Sequence, residues 1–215
     1  MPQPARHSTA LSSREAKSDG KLYAERLKRY SSLPTCPELL FDCGPKPQRF
    51  DCFMKTLLLL RHAKSSWKET QLADHDRPLN KRGRHDAPRI GNLIERKNLN
   101  PNLIVSSTAL RARSTAQVVA ESCDHAEPIH EIRDLYLAGP QTYIETARCF
   151  PNQFERVLMV GHNPGISQLL WRLTGSDEDF PTAALAQIEI PIDDWSDLAE
   201  TIRGRLIQFW RPREL

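Results

Sequence analysis

The stretch TLLLLRHAKSSW, residues 56–67, decides the fold of this chain. Leu57 to Leu60 form an uninterrupted apolar run, which is typical of a strand buried on both faces of a sheet. Arg61 and His62 follow at once, and both side chains can contact a phosphate group. The stretch therefore predicts a buried strand that holds a guanidinium and an imidazole at its carboxyl end.

Further strands of the same kind follow along the chain. NLIVSS, residues 102–107, and RVLMVG, residues 156–161, are short apolar runs, and AQIEIPI and RLIQFW predict two late strands. Helical patterns lie between the first strands. This alternation predicts an α/β sandwich.

Three segments have the apolar spacing of helices. Asn80 could cap the first, which runs to about Lys97 and contains Pro88, so we expect a kink or a shifted start. The second spans residues 108–123. The third follows RVLMVG directly and ends at Gly175.

Residues 1–53 differ from the rest in composition. They contain six of the sixteen prolines and little apolar periodicity. Such a segment buries too little apolar surface to offset the entropy of ordering it, so we expect a disordered N-terminal extension. An alternative is that translation starts at Met54, and whether residues 1–53 belong to the mature protein stays open. Residues 54–215 then form the one folded domain.

Charge and cysteine usage exclude several classes of protein. The net charge is +3, and residues 1–53 carry 9 Lys and Arg against 6 Asp and Glu, which leaves 21 of each in the remainder. A neutral body does not favour nucleic acid as a partner. The longest apolar run is far shorter than the roughly 20 residues of a membrane span. The five cysteines form no CxxC pair, so we expect no zinc and a cytoplasmic location.

Phosphate-binding residue types follow the first three strands. Arg61 and His62 end the first, Arg111 begins the helix after the second, and His162 follows the third. Ligands of open α/β sheets bind beyond the carboxyl ends of the strands, where helix N-termini also attract anions. We therefore expect these four side chains to converge on one anion.

The residue types suit phosphoryl transfer. A neutral imidazole is nucleophilic near pH 7, and the guanidinium fork binds two phosphoryl oxygens. A second histidine, protonated, would add charge and a donor where negative charge builds up. The sequence has no DxD or HExxH pattern that would supply a metal, so we expect none.

Four motifs in order resemble the histidine phosphatase superfamily, which includes the cofactor-dependent phosphoglycerate mutases. They are LLLLRHAKS, ADHDRPLNKRGRHDA, SSTALRARSTA and VGHNPG, and the second is similar to the SixA-type phosphohistidine phosphatase branch. The resemblance covers residues 54 to about 211. It implies a phosphoglycerate mutase-like fold, a three-layer α/β/α sandwich around a mostly parallel sheet.

The resemblance also implies roles for the strand-end residues. His62 would be the nucleophile that forms a phosphohistidine intermediate, and Arg61, Arg111 and His162 would form the phosphate pocket. Arg77 in DRPL could reach the phosphate or pair with Asp76; the two interpretations have equal weight.

Two departures from the family pattern matter. The usual RHG triplet is RHA here, followed by Lys64, which we expect to affect substrate fit more than chemistry. The proton donor for the leaving group also has no convincing match, and Glu131, Asp134, Asp74 and Asp76 remain candidates. A displaced acid is tolerable if the leaving group is an imidazole nitrogen, because a P–N bond is more labile than a P–O ester.

These features predict a metal-independent phosphatase without a cofactor, which acts through phospho-His62 on a phosphorylated protein histidine. A small-molecule phosphomonoesterase is the alternative within enzymes, although the body is too short for a large cap over the site. An idle phosphate-binding or scaffold protein is the alternative from another class. Four other histidines are interpreted as surface residues: His75, His85, His125 and His130. The tryptophans are interpreted as residues of the core or of a pocket wall: Trp67, Trp171, Trp195 and Trp210. The acidic stretch GSDEDF predicts a solvated loop.

Overall fold

The structure is a computed structural model that describes residues 54–69 and 71–215. The predictions for residues 1–53, a disordered extension or a start at Met54, concern a segment outside the described residues.

The described part of the chain contains a six-stranded sheet in the order β3-β2-β4-β1-β5-β6. Its strands are β1 Lys55–Arg61, β2 Leu103–Ser107, β3 His130–Ile132, β4 Arg156–Gly161, β5 Leu185–Ile190 and β6 Arg205–Trp210. The first four are parallel to one another, whereas β5 pairs antiparallel with β1 and with β6. The prediction of a mostly parallel sheet is therefore confirmed.

Four α-helices connect the strands. They are α1 Lys81–Arg96, α2 Leu110–Ser122, α3 Pro140–Arg148 and α4 Gly165–Thr174. The side chain of Asn80 accepts a hydrogen bond from the Gly83 amide at 2.9 Å, so α1 begins where the cap predicts. Pro88 lies inside the helix without shifting its start. Gly175 ends α4 in the left-handed conformation, as predicted.

The four leucines of β1 face both layers of helices. Leu57 and Leu59 pack in a core cluster with residues of α3 and α4, such as Tyr143 and Leu169. Leu58 and Leu60 pack on the other face with residues of α1 and α2. All four leucines are at most 1% exposed. Each stabilises the fold by about 2 kcal/mol through the area it removes from water, and the result is the predicted three-layer sandwich.

Two elements were not predicted from the sequence. The three-residue strand β3 and the nine-residue helix α3 are short, and their polar residues obscure any periodicity. The tryptophan interpretation was partly wrong: Trp195 is fully buried, but Trp67 and Trp171 are 72% and 60% exposed. Trp67 instead covers the Arg77 guanidinium, with 3.2 Å between its ring centroid and Cζ.

The carboxyl ends of β1, β2 and β4 meet at one edge of the sheet. The register aligns Arg61 with Gly161 and Ser106 with Val160. The segments that follow these strands therefore begin side by side. Within the described residues, no helix is both long and apolar enough to cross a bilayer.

Candidate functional site

The predicted strand-end residues lie together. The ring centroids of His62 and His162 are 4.9 Å apart, and Nε of Arg111 lies 3.3 Å from Nε2 of His62. Arg61 sits close enough that its charge lowers the pKa of both histidines. The structure thus brings together two imidazoles and two guanidiniums from three segments of the chain.

The hydrogen bonds of His62 fix its tautomer. Nδ1 lies 2.8 Å from the carbonyl oxygen of Ala63, and a carbonyl can only accept, so Nδ1 carries the proton. Nε2 therefore has a lone pair, which accepts a hydrogen bond from the Arg111 guanidinium. The Ala63 amide in turn donates to the Thr115 hydroxyl at 2.9 Å, which anchors this loop to α2.

Both histidines are neutral near pH 7. Burial lowers the pKa of His62 to about 3, and the charges of Arg111 and Arg61 act in the same direction. Burial also lowers the pKa of His162 to about 4, again with help from Arg111. The expectation of a protonated second histidine concerns the stage at which negative charge builds up on a phosphoryl group, and it stays a prediction.

His162 is held from two sides. Its backbone N–H donates to Tyr143 Oη at 3.1 Å, and its Nε2 is 2.9 Å from the Ser107 hydroxyl. Gly161 allows this contact, since a Cβ there would lie 2.0 Å from Tyr143 Oη. Nδ1 of His162 is buried without a hydrogen-bond partner among the described residues. A buried polar atom of this kind is available to hydrogen-bond a bound group.

Arg61 is oriented by the loop between α4 and β5. Its Nη1 donates to the Phe180 carbonyl at 2.8 Å, and the Asn163 amide donates to the same oxygen at 3.1 Å. Nε of Arg61 is buried and unpaired within the described part of the chain. The GSDEDF stretch is therefore not merely a solvated loop: Phe180 is 1% exposed and the Asp179 charge faces Arg61.

Asp74 is the centre of a network that sequence reasoning did not anticipate. Its carboxylate accepts hydrogen bonds from Arg111 at 2.9 Å, from Tyr136 at 2.8 Å and from Arg77 at 2.9 Å. Burial favours the protonated acid, but the hydrogen bonds from Tyr136 and Arg111 outweigh it and lower the pKa of Asp74 to about 2. Asp74 is therefore an ionised carboxylate near neutral pH.

Arg77 does not pair with Asp76. Besides Asp74, it donates to the Ser66 carbonyl and the Ser65 hydroxyl, each at 2.9 Å. Its Nε and both terminal nitrogens therefore have protein acceptors, and the residue is only 6% exposed. These contacts tie the loop after β1 to the turn at Asp74–Asp76.

The other candidate acids lie in different surroundings. Glu131 pairs with Arg113 at 3.3 Å, and both line a separate groove of about 510 Å³ between α2 and β3. Asp134 is exposed in the turn Arg133–Leu135. Asp76 accepts a hydrogen bond from the imidazole of His75 at 3.0 Å. None of these three carboxylates contacts His62 or His162 in the described part of the chain.

Sequence reasoning missed Tyr136 and misplaced His75. The Tyr136 ring lies edge-on to both His162 and His75, with centroid distances of 5.6 and 5.0 Å. The interpretation of the remaining histidines as surface residues holds for His85, which is exposed, whereas His75, His125 and His130 are half-buried. A signal was available in ADHDRPL, since two acidic neighbours around a histidine suggest a fixed imidazole.

Metal ligation has no support in the described residues. Over residues 54–69 and 71–215, the His, Cys, Asp and Glu side chains form no group of three that could hold an ion. The Arg111 guanidinium, which contacts Nε2 of His62, is a group that binds anions.

Comparison with known proteins gives the family. The sequence profile of the histidine phosphatase superfamily (branch 1) matches residues 57–136. A solved structure from Agrobacterium tumefaciens, provisionally named phosphohistidine phosphatase SixA, is 32% identical; the match covers 74% of this chain and 98% of that chain, with a TM-score of 0.64. The chain belongs to the histidine phosphatase superfamily.

Other relatives place it within the SixA-type branch. A second structure provisionally named SixA, from Nakamurella multipartitia, is 26% identical and covers 74% of this chain and 96% of that chain, with a TM-score of 0.65. An uncharacterized protein of Mycobacterium leprae is 32% identical over 167 residues, which are 72% of this chain and 100% of the relative. The protein is thus a phosphatase of the histidine phosphatase superfamily, and the resemblance stated from its motifs is confirmed.

Proposed function

We propose that this histidine phosphatase removes phosphoryl groups from phosphohistidine in proteins, without a metal, through a covalent intermediate on His62. The observation that carries the proposal is the tautomer of His62. Its Nδ1 proton is committed to the Ala63 carbonyl, so the lone pair of Nε2 faces the guanidinium of Arg111. A lowered pKa keeps that lone pair available over the physiological pH range.

The cationic groups around His62 have the donors that a phosphoryl group needs. Arg111 approaches the nucleophilic nitrogen itself, while Nε of Arg61 and Nδ1 of His162 are buried polar atoms without protein partners. Oxygen atoms of a phosphoryl group would satisfy both. Donors fixed in this way stabilise the charge that builds up on phosphorus oxygens in the transition state.

The reaction proceeds in two balanced steps. The Nε2 lone pair of His62 forms a bond to phosphorus, the bond between phosphorus and the leaving nitrogen breaks with its electron pair on that nitrogen, and the leaving imidazole takes up one proton. Water then attacks phosphorus and gives up one proton, the P–N bond to His62 breaks, and its electron pair returns to Nε2. The products are the dephosphorylated histidine and inorganic phosphate.

The choice of a P–N substrate has two supports. Asp74, whose carboxylate binds the same Arg111 that contacts His62, is ionised and held by two arginines and a tyrosine, so it is poorly suited to protonate an alkoxide. The related structures from Agrobacterium and Nakamurella carry the name phosphohistidine phosphatase. An imidazole leaving group depends less on protonation by a general acid than an alkoxide leaving group does.

The test is a substrate panel with purified protein in the presence of a chelator. We expect phosphohistidine peptides to be turned over much faster than serine or threonine phosphopeptides. Comparable rates on an unactivated alkyl phosphate would favour a small-molecule phosphomonoesterase. Loss of activity in the chelator would contradict a metal-independent mechanism.

Trapping separates an enzyme from an idle phosphate-binding protein. Brief incubation with a ³²P-labelled phosphohistidine peptide and denaturation in alkali should leave an acid-labile label on His62. His62→Ala should abolish the label, while His85→Ala, at an exposed site, should keep it. An unlabelled wild-type protein that still binds inorganic phosphate would indicate a binding protein instead.

A further inference from the structure

His75 is a third imidazole at the edge of the site. Its Nε2 lies 3.0 Å from the Thr108 hydroxyl, and the neighbouring Ser107 hydroxyl lies 2.9 Å from Nε2 of His162. The two histidines therefore hydrogen-bond consecutive residues of the loop that leads into α2. Tyr136 packs edge-on against both rings. His75 thus borders the same pocket as His162.

The exposure of His75 differs from that of the other two histidines. Its side chain is 33% exposed, whereas His62 and His162 are 8% and 2% exposed. His62 and His162 are therefore the two deeply buried imidazoles, and His75 is the more accessible one. In an in-line displacement the leaving atom lies opposite the nucleophile, so a general acid has to be a group other than the two buried imidazoles that surround the phosphoryl group.

Hydrogen bonds orient His75 for proton transfer. Nδ1 lies 3.0 Å from the Asp76 carboxylate, which can only accept, so Nδ1 carries a proton. Nε2 is the other ring nitrogen, and the exchangeable hydroxyl of Thr108 holds it in place. A carboxylate behind an imidazole is the arrangement that fixes a general acid or base in other hydrolases.

Other acids near the pocket are engaged elsewhere. The Asp74 carboxylate binds Arg77, Arg111 and Tyr136, and Glu131 faces the groove beside α2. Asp76 binds Nδ1 of His75, on the side of the ring opposite to Nε2.

We propose that His75 is the general acid and base of the reaction. The inference rests on the proposed phosphohistidine intermediate at His62. In the first step the leaving group keeps the electron pair of its bond to phosphorus and takes the proton from Nε2 of His75. For an ester the acceptor is the leaving oxygen, and for a phosphohistidine it is the ring nitrogen that does not carry phosphorus. In the second step the attacking water gives a proton to Nε2 of His75, which restores the acid.

The test compares two aryl phosphates in the variant His75→Gln. Phenyl phosphate has a poor leaving group that needs a proton, whereas p-nitrophenolate leaves readily without one. We expect kcat/KM for phenyl phosphate to fall about 100-fold or more, and for p-nitrophenyl phosphate to fall less than about 10-fold, because acid catalysis contributes about 10²–10⁴. Since kcat/KM ends with transfer to His62, the later hydrolysis does not obscure the comparison.

His85 offers a matched control. It also precedes an aspartate, with 3.1 Å between Nδ1 and the Asp86 carboxylate, but its side chain is 68% exposed and lies on α1. His85→Gln should leave kcat/KM unchanged for both substrates. Asp76→Asn should reproduce the leaving-group dependence of His75→Gln to a smaller extent, since it removes only the orienting carboxylate. Both variants should still label His62 with p-nitrophenyl phosphate.

Equal losses on both substrates in His75→Gln would overturn the proposal, because they indicate a structural role. Full activity on phenyl phosphate would overturn it as well. The proposed phosphohistidine substrate is tested separately by the peptide panel, and the proposed intermediate is tested by the label on His62. Failure of the His75 proposal can therefore be distinguished from failure of the proposed function.

Discussion

The guanidinium of Arg111 donates to Nε2 of His62 over 3.3 Å, and the same guanidinium binds the carboxylate of Asp74 at 2.9 Å. Arg111 therefore links the imidazole of His62 to the carboxylate of Asp74. This ion pair compensates the charge of the buried guanidinium. This relationship makes Arg111 the residue on which both binding and chemistry should depend.

Substitution of Arg111 by lysine should lower kcat/KM by about 10²–10³, because loss of a fixed donor to the transition state has that effect. Lysine keeps the charge but cannot reach His62 and Asp74 at once. Steady-state kinetics with an aryl phosphate measure the loss. Arg113→Lys is the control, since Arg113 lies on the same helix and pairs with exposed Glu131. Near wild-type activity of Arg111→Lys would contradict a contact between Arg111 and the phosphoryl group.

The histidines of the site should remain neutral in mild acid. Burial and the nearby guanidiniums lower the pKa of His62 to about 3 and that of His162 to about 4, against about 6.5 for a free histidine. NMR signals of both rings should therefore not move between pH 8 and pH 5.5. Inorganic phosphate should raise the pKa of His162, because an anion at Nδ1 favours the charged ring. A titration midpoint near pH 6.5 for either ring in phosphate-free buffer would contradict the lowered pKa values.

The same pKa values make the fold sensitive to acid. In the unfolded chain both imidazoles bind protons near pH 6.5, but in the folded protein they do so only near pH 3 and pH 4. The unfolded state therefore binds more protons in this window, and the free energy of unfolding falls as the pH drops below 6.5. The slope approaches about 1.4 kcal/mol per pH unit for each histidine.

Urea unfolding at a series of pH values in phosphate-free buffer measures that slope. The double variant His62→Gln, His162→Gln should lose most of it between pH 6.5 and pH 5. His85→Gln should keep it, because this side chain is exposed. A double variant with the slope of the wild type would show that other groups cause the acid sensitivity.

Tyr143 should stabilise the loop that carries His162. Its Oη accepts the buried His162 N–H at 3.1 Å, and burial raises the pKa of the phenol to about 12, so it stays protonated. Tyr143→Phe leaves that N–H without an acceptor and should lower the free energy of unfolding by about 1–3 kcal/mol. Tyr136→Phe removes a hydroxyl at the surface and should cost less. Equal effects of the two variants in urea unfolding would argue against the role of Tyr143.

Periodicity and turn chemistry predicted most of the fold. The run of Leu57 to Leu60 identified the central strand, the Asn80 cap fixed the start of α1, and Gly175 ended α4 where glycine is favoured. Elements of three to nine residues at the margin of the sheet, β3 and α3, were missed. Their pattern is too short to be distinguished from a loop, and packing against the sheet decides their conformation.

The candidate site divides in the same way. Arg61, His62, Arg111 and His162 were identified from the sequence because each follows a predicted strand, and parallel strands bring their carboxyl ends to one edge. The contacts that join Asp74 to Tyr136 and His75 to Thr108 could not be predicted. They depend on side chains that lie more than 30 residues apart in the sequence and meet only in the folded chain.

The amino-acid sequence by itself determined the buried strand, the family and the charged residues that meet at the ends of the strands, because hydrophobic period and strand-end position are local properties. Only the tertiary structure decided the state of those residues. Burial and two adjacent guanidiniums keep both histidines neutral, three donors keep Asp74 ionised, and the Asp76 carboxylate fixes His75. Protonation depends on distance and solvent access, and these exist only once the chain has folded.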